Sequence, residues 1–121
     1  MTIYQYTFIC LLNETLGGIS ILKIDTKPIA AICKCLSDEN RLRILQTIGM
    51  EKKSVSQIVE YLELSQPLVS HHLKELRRSH LVKVERQGPF VYYHISNKGI
   101  LSLIERINKI AKELIESHEP F

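Results

Sequence analysis

One stretch of the chain carries side chains suited to contacting nucleic acid: Leu64-Ser-Gln-Pro-Leu-Val-Ser-His-His-Leu-Lys-Glu-Leu-Arg77. Its polar residues recur at helical spacing on one face, which holds Gln66, Ser70, Lys74 and Arg77, with His71 beside them. This face has amide, hydroxyl, imidazole and cationic groups and almost no acid. Such groups hydrogen-bond the edges of bases and pair with phosphates.

A helix must position these side chains, and the signals of a helix are present. The hydroxyl of Ser65 can accept a hydrogen bond from a free backbone N–H of the first turn. Pro67 lies in that turn, where its missing N–H costs little. The apolar residues Val69, Leu73 and Leu76 recur at i, i+4 and i+7, which predicts one buried stripe.

Positive charge is concentrated around this helix. The formal charge of the 121-residue chain is +3. Residues 65–98 contain six Lys or Arg against two acids, a surplus of +4, so the remaining residues sum to −1. A local surplus of this kind is expected of nucleic-acid binding, although most charged faces are only solvated.

Composition narrows the class of protein. The length suits one small domain, and 45% hydrophobic with 24% charged residues is ordinary for a globular chain. We find no signal-peptide pattern, no apolar run near the ~18 residues of a membrane span, and an odd number of cysteines. We therefore expect a cytoplasmic location and no membrane partner. Without a Gly-rich phosphate loop, a nucleophile elbow or paired carboxylates, we expect neither an enzyme nor a cofactor.

Two helices are predicted upstream of residue 50. The first begins at Pro28, and its apolar positions are Ile29, Ile32, Cys33 and Leu36. Ser37 or Asp38 then caps a second helix that ends at Gly49. Its predicted buried face consists of Leu42, Leu45 and Ile48.

Residues 51–54 are interpreted as a polar connection to a third, short helix. That helix starts at Ser54 or Ser56 and turns Ile58, Val59 and Leu62 inward. Only two or three residues separate it from the helix at Ser65. Two short helices joined by a tight turn, the second polar on its outer face, form the helix-turn-helix pattern.

After Leu81 the hydrophobic period changes from 3.6 to 2. One run has Val82 and Val84 on its apolar side, and the next has Val91, Tyr93 and Ile95. Between the runs, Arg86-Gln-Gly-Pro89 is a turn sequence. A β-hairpin after a helix-turn-helix is a wing, so the predicted fold is mainly α with a β-hairpin wing, a winged helix-turn-helix.

A long helix is predicted from about Asn97 to Ser117, with more apolar surface than one small domain needs. Its seam consists of Ile100, Leu103, Ile104, Ile107, Ile110, Ala111 and Leu114. We expect this surplus to form a homodimer interface together with Ile29, Ile32 and Cys33. The alternative is a terminal helix that lies only on its own core.

The domain is expected to span residues 27–117, followed by a tail, 118–121. Residues 1–26 are apolar without a clear pattern, and could form an extra helix or strand or a partly mobile segment.

Three motifs in order closely resemble the ArsR/SmtB-type repressors: residues 35–45, residues 64–76, and Gln87-Gly-Pro-Phe-Val-Tyr-Tyr93. The resemblance covers roughly residues 28–116. It implies a dimeric winged-helix repressor on double-stranded DNA with an inverted-repeat operator, released by a ligand. By position, Gln66, Ser70, His71 and Lys74 would face the major groove, and Arg86, Gln87 and Arg78 would contact phosphate or the minor groove at the wing. His72 would lie inside and hydrogen-bond the helix to the dimer core.

The chain departs from this family where the family binds metals. The family's Cys-x-Cys motif falls on Ser54-Val55-Ser56, whose hydroxyls are poor ligands for soft ions. Its last-helix zinc motif falls on Asn97, Gly99, Ile110 and Glu113, of which only the carboxylate is retained. Neither known metal site is expected.

The cysteines leave two interpretations open. Cys33 lies on the apolar stripe and could simply be a small buried hydrophobe. Alternatively Cys10 meets Cys33 or Cys35, across the dimer, as a thiol or metal sensor. A protein-interaction module remains the alternative to a DNA-binding regulator, because winged helices also bind proteins.

Overall fold

The computed structural model describes residues 24–117. Its elements in chain order are α1 (Thr26–Leu36), α2 (Glu39–Ile48), β1 (Lys52–Lys53), α3 (Val55–Leu62), α4 (Gln66–Arg78), β2 (Val82–Gln87), β3 (Phe90–Ile95) and α5 (Gly99–Ser117). The predicted mainly helical fold with a β-hairpin is confirmed. The chain forms two compact units that are divided within α1, between Ala31 and Ile32, and the hydrophobic core belongs to the second unit. Cys10 and the tail after Ser117 lie outside the described residues.

Side-chain caps begin the three helices around the helix-turn-helix. Asp38 caps α2, because its Oδ1 accepts the backbone N–H of Arg41 at 3.1 Å. Ser54 caps α3 in a reciprocal capping box with Gln57. Ser65 caps α4 as predicted, accepting the N–H of Leu68 at 3.4 Å. The caps therefore fall at Asp38 and Ser54 where the sequence left two choices each.

The hydrophobic core lies where α2, α3, α4 and the base of the hairpin meet. The predicted stripe of α4 is confirmed, since Val69, Leu73 and Leu76 are fully buried. On α2 the prediction was incomplete: Ile44 is fully buried, whereas Leu42 is only partly buried against the core. The other buried hydrophobic residues are Cys35, Leu36, Leu45, Ile48, Ile58, Leu81 and Val82.

The sheet has three antiparallel strands in the order β1-β3-β2. The stretch predicted to be a polar connection therefore contributes a strand, in which Lys52 pairs with His94. The turn predicted at residues 86–89 is present but shorter, because β2 continues through Gln87, which pairs with Phe90. Only two residues remain for the loop, and Gly88 supplies its positive φ of 59°.

Helix α1 corrects the sequence-based view of the cysteines. Cys33 is exposed, whereas Cys35 is buried and its Sγ lies 3.9 Å from the backbone oxygen of Glu75. The predicted stripe of α1 is open in the single chain, where Ile29 is 46% and Ile32 36% exposed. The core instead receives the end of the helix, Cys35 and Leu36.

Helix α5 begins at Gly99, two residues later than predicted, and Asn97 Oδ1 accepts the N–H of Gly99 at 2.8 Å. Ile100 and Ile104 pack against the core. Of the rest of the seam, Ala111 is half-buried. Four side chains are 43–49% exposed: Leu103, Ile107, Ile110 and Leu114. No helix among residues 24–117 is both long and apolar enough to cross a membrane.

Candidate nucleic-acid interface

The outward side of α4 presents the polar residues singled out from the sequence. Ser65, Gln66, His71, Lys74 and Arg77 are exposed. At 3.6 residues per turn, Gln66, Ser70 and Arg77 lie within about 40° of one another around the helix axis. Ser70 is half-buried. This arrangement offers amide, hydroxyl and cationic groups along one edge of the helix.

The two arginines that end α4 differ in their partners. Arg78 Nη1 pairs with Glu75 Oε1 at 3.1 Å, one helical turn back. Arg77 makes no ion pair within residues 24–117, and it lies on the Gln66 edge of the helix. A carboxylate paired with an arginine partly neutralises its charge and therefore weakens its attraction for a phosphate. The unpaired Arg77 is therefore the better phosphate ligand of the two.

In the hairpin, the register separates the two residues that the sequence placed together as wing contacts. Arg86 is opposite Val91 and Gln87 is opposite Phe90, so Arg86 and Gln87 point to opposite faces. Gln87 Nε2 donates to Glu85 Oε1 at 3.3 Å on its own face. Both residues are exposed, but a single flat surface cannot contact both side chains.

Sequence reasoning missed a row of side chains on the Gln87 face of the hairpin. It holds Phe90, which is 61% exposed, and Tyr92, whose ring centroid is 6.3 Å from that of Phe90. Lys52 of β1 places its Nζ 5.1 Å from the centre of the Tyr92 ring. The alternation of β3 already put the two aromatic residues on one face. No sequence pattern indicated that Lys52 would lie on this face, because strand β1 itself was not predicted.

His72 connects α4 to the start of α2. It is 6% exposed, as expected of an internal residue, and its Nε2 lies 3.9 Å from Asp38 Oδ1. The buried Nδ1 has no hydrogen-bond partner within the described residues, so the predicted hydrogen bond is not seen in the single chain. Burial lowers the pKa of His72, outweighing the Asp38 carboxylate, which acts to raise it. The hydrogen bond from the Arg41 backbone lowers the pKa of Asp38.

Metal ligands are sparse in the described part of the chain. Within residues 24–117, no three side chains of His, Cys, Asp or Glu come together as a metal site. Ser54, at one of the family's ligand positions, uses its hydroxyl to cap α3.

Comparison with known proteins agrees with this architecture. Residues 38–84 match the family model for the bacterial regulatory protein, arsR family. The cadmium resistance transcriptional regulatory protein CadC of Listeria innocua is 36% identical over 86 residues, 70% of this chain and 72% of that protein.

Two solved structures are similar in fold. Reduced HlyU from Vibrio cholerae has a TM-score of 0.62 and 32% identity, covering 68% of this chain and 90% of that one. A homodimeric winged helix-turn-helix DNA-binding domain from Mycobacterium bovis has a TM-score of 0.67 and 25% identity, covering 82% and 96%. With the capped helix-turn-helix, the three-stranded wing and these relatives together, the chain belongs to the arsR family of bacterial regulatory proteins, a family of transcriptional regulators rather than enzymes.

Proposed function

We propose that the protein is a cytoplasmic, homodimeric repressor that binds a specific inverted-repeat DNA operator and releases it on a signal. The exposed polar edge of α4 is the observation that carries this proposal. It presents Gln66 and Ser70 with Arg77, and the neighbouring buried stripe of Val69, Leu73 and Leu76 holds the helix in place. Amides and hydroxyls in the major groove distinguish base pairs by their donor and acceptor patterns.

The apolar surface of α5 supports the homodimer. Leu103, Ile107, Ile110 and Leu114 recur along the helix and are each 43–49% exposed. Open apolar seams of this kind are costly in water, and a second copy of the same seam would cover them. Ile100 and Ile104 are partly covered by the core already, so they would form the inner border of this interface. Ile29, Ile32 and Cys33 are exposed and remain predicted members.

A two-fold dimer fixes the form of the operator. The two α4 helices would enter successive major grooves about 34 Å apart. The predicted contact residues are Ser65, Gln66, Ser70, His71, Lys74, Arg77 and Arg78 of α4, and Arg86 and Gln87 of the wing. Of these, Arg78 would add little charge at the DNA because it is paired with Glu75. The polar chemistry of α4 also weighs against the alternative of a protein-interaction module, for which an exposed apolar face would be needed.

The signal that releases DNA is a separate part of the proposal. The relatives CadC and the arsenical resistance operon repressor of Staphylococcus aureus are named for metal and metalloid resistance. In this chain the candidate sensor groups are Cys10, Cys33 and Cys35, acting as a thiol switch or a non-standard metal site. Cys33 is exposed to solvent whereas Cys35 is buried. Because a reagent or metal ion can reach only an accessible thiol, this difference favours Cys33 as the reactive cysteine of the two.

The test is a binding titration of the double variant Ser70→Ala/His71→Ala. Wild-type protein first selects its preferred duplex from a random pool, and each lost base contact is then expected to cost about 1–3 kcal/mol on that duplex. The control, Gln46→Ala, changes an exposed amide on α2 and should bind as the wild type does. An unchanged affinity in the double variant would show that α4 does not read the bases. Repeating the titration with Zn²⁺, arsenite and a mild oxidant tests the signal.

A further inference from the structure

The tip of the wing ends in an apolar side chain that the core does not use. Phe90 follows the two-residue loop Gly88-Pro89 directly and is 61% exposed. Among the described large hydrophobic residues, only Met50 and Tyr61 are more exposed. Phe90 and the neighbouring Pro89 give the tip two apolar groups, and the loop itself carries no polar side chain.

Contacts behind Phe90 hold its ring in place. Its centroid lies 6.3 Å from that of Tyr92, with 37° between the two ring planes. Lys52 in turn covers the Tyr92 ring and pairs with Glu85 at 3.4 Å. Aromatic and cation contacts of this kind restrict side-chain motion, so Phe90 loses less conformational freedom when it binds. The ring is exposed but supported from below.

The charges around the tip favour DNA as the occupant. Arg86 next to the loop and Lys83 nearer the base of β2 make no ion pair among residues 24–117. Gln87, opposite Phe90, is exposed and its Nε2 donates to Glu85 Oε1. Cations attract the backbone phosphates on both sides of a groove, and an amide can bond a base edge. The minor groove is about 6 Å wide, which admits side chains at the end of a hairpin although not its two strands side by side.

The family resemblance implies that the wing contacts phosphate or the minor groove, and we propose that Phe90, with Pro89 beside it, wedges there against a base step next to each half-site. This inference rests on the proposed function, and it adds a residue that determines specificity outside α4. Apolar wedges in the minor groove partly unstack a step and bend the duplex. Pyrimidine–purine steps open most easily, so the protein should prefer one, such as TA, under each wing.

The test compares Phe90→Ala and Phe90→Leu with the wild type on the duplex that the wild type selects. We expect Phe90→Ala to raise Kd about ten-fold per wing, which corresponds to about 1.4 kcal/mol. For a dimer with two wings the expected increase in Kd is therefore about a hundred-fold. Phe90→Leu should recover most of the affinity. The control, Tyr61→Ala, removes a ring that is 76% exposed on α3, outside the hairpin, and should bind as the wild type does.

Two further readouts separate a wedge from an electrostatic contact. The slope of log K against log salt should be the same for Phe90→Ala and wild type, since no charge is lost. A 2-aminopurine placed at the TA step should brighten as wild type unstacks it, and should not brighten with Phe90→Ala.

The outcomes distinguish the two proposals. If the wild type selects no duplex, the proposed function fails and this inference fails with it. If the wild type selects a duplex that Phe90→Ala binds equally well, or 2-aminopurine stays dark, the wedge alone is refuted. The same holds if replacing the TA step by a stiff A-tract leaves wild-type affinity unchanged.

Discussion

The neighbouring arginines at the end of α4 offer a sharp test of the interface, because only one is already paired. Four cations of α4 and β2 make no ion pair within residues 24–117: Lys74, Arg77, Lys83 and Arg86. A dimer would bring eight to the DNA, which gives a slope of log K against log salt of about −7 at roughly 0.9 per phosphate. Affinity should then fall about 10⁴-fold between 50 and 200 mM salt.

Replacing Arg77 by Ala removes two of the eight cations. We expect the slope to become shallower by about 1.8, reducing the loss of affinity over the same salt range to about 10³-fold. The measurement is fluorescence anisotropy of a labelled duplex at five or more salt concentrations. A slope unchanged by Arg77→Ala would mean that the Gln66 edge of α4 does not face the phosphates.

The matched control is the double variant Glu75→Ala/Arg78→Ala. It deletes the 3.1 Å ion pair as a unit, and therefore leaves the net charge unchanged. Its slope should stay within about 0.5 of wild type. If the double variant flattens the slope as much as Arg77→Ala does, Arg78 contacts phosphate in spite of Glu75, and the distinction drawn between the two arginines is wrong.

Two predictions concern stability. Ser54→Ala removes the capping box of α3 and should lower the free energy of unfolding by about 1 kcal/mol in urea denaturation. The control is Ser56→Ala, on the same turn but without a cap bond. Equal effects of the two substitutions would contradict the role of the cap. Because the pKa of His72 is lower in the folded chain than its ordinary value of 6.5, the unfolded chain binds the proton first. The free energy of unfolding should therefore decrease as pH drops below about 6.5. This decrease should be smaller in His72→Gln and unchanged in the control His80→Gln, which alters an exposed histidine. An unchanged decrease in His72→Gln would exclude His72 as its source.

Local signals predicted the helix-turn-helix well. Ser65, Gly49 and the stripe at Val69, Leu73 and Leu76 lie where the sequence placed them, because caps and helical periodicity act over a few neighbouring residues. Ile44 was missed because the prediction assumed a single buried stripe on α2. In the structure α2 is covered on a wider face, since the sheet packs against it as well as α3 and α4.

The remaining differences come from contacts that a local pattern does not contain. Strand β1 consists of two lysines and exists because their backbone pairs with β3, some 40 residues later. In α1, the pattern at Ile32 and Cys33 indicated burial, yet both are exposed in the single chain. An apolar stripe reports a tendency to be covered and does not say by what; the proposed dimer would supply that cover. The contact residues of the candidate site stay a prediction, because exposure alone does not identify what binds.

Among residues 24–117 the wing has two open strand edges. The short β1 covers only Tyr93 and His94 of β3, and no strand pairs with the outer side of β2. Unpaired N–H and C=O groups on such edges can recruit strands from other molecules and start aggregation. The hairpin opposes this with charged side chains along β2, Lys83, Glu85 and Arg86, and with Pro89 at its tip, which has no N–H to donate. The same cations that would face phosphate thus also keep wings of neighbouring molecules from joining into a continuous sheet at high concentration.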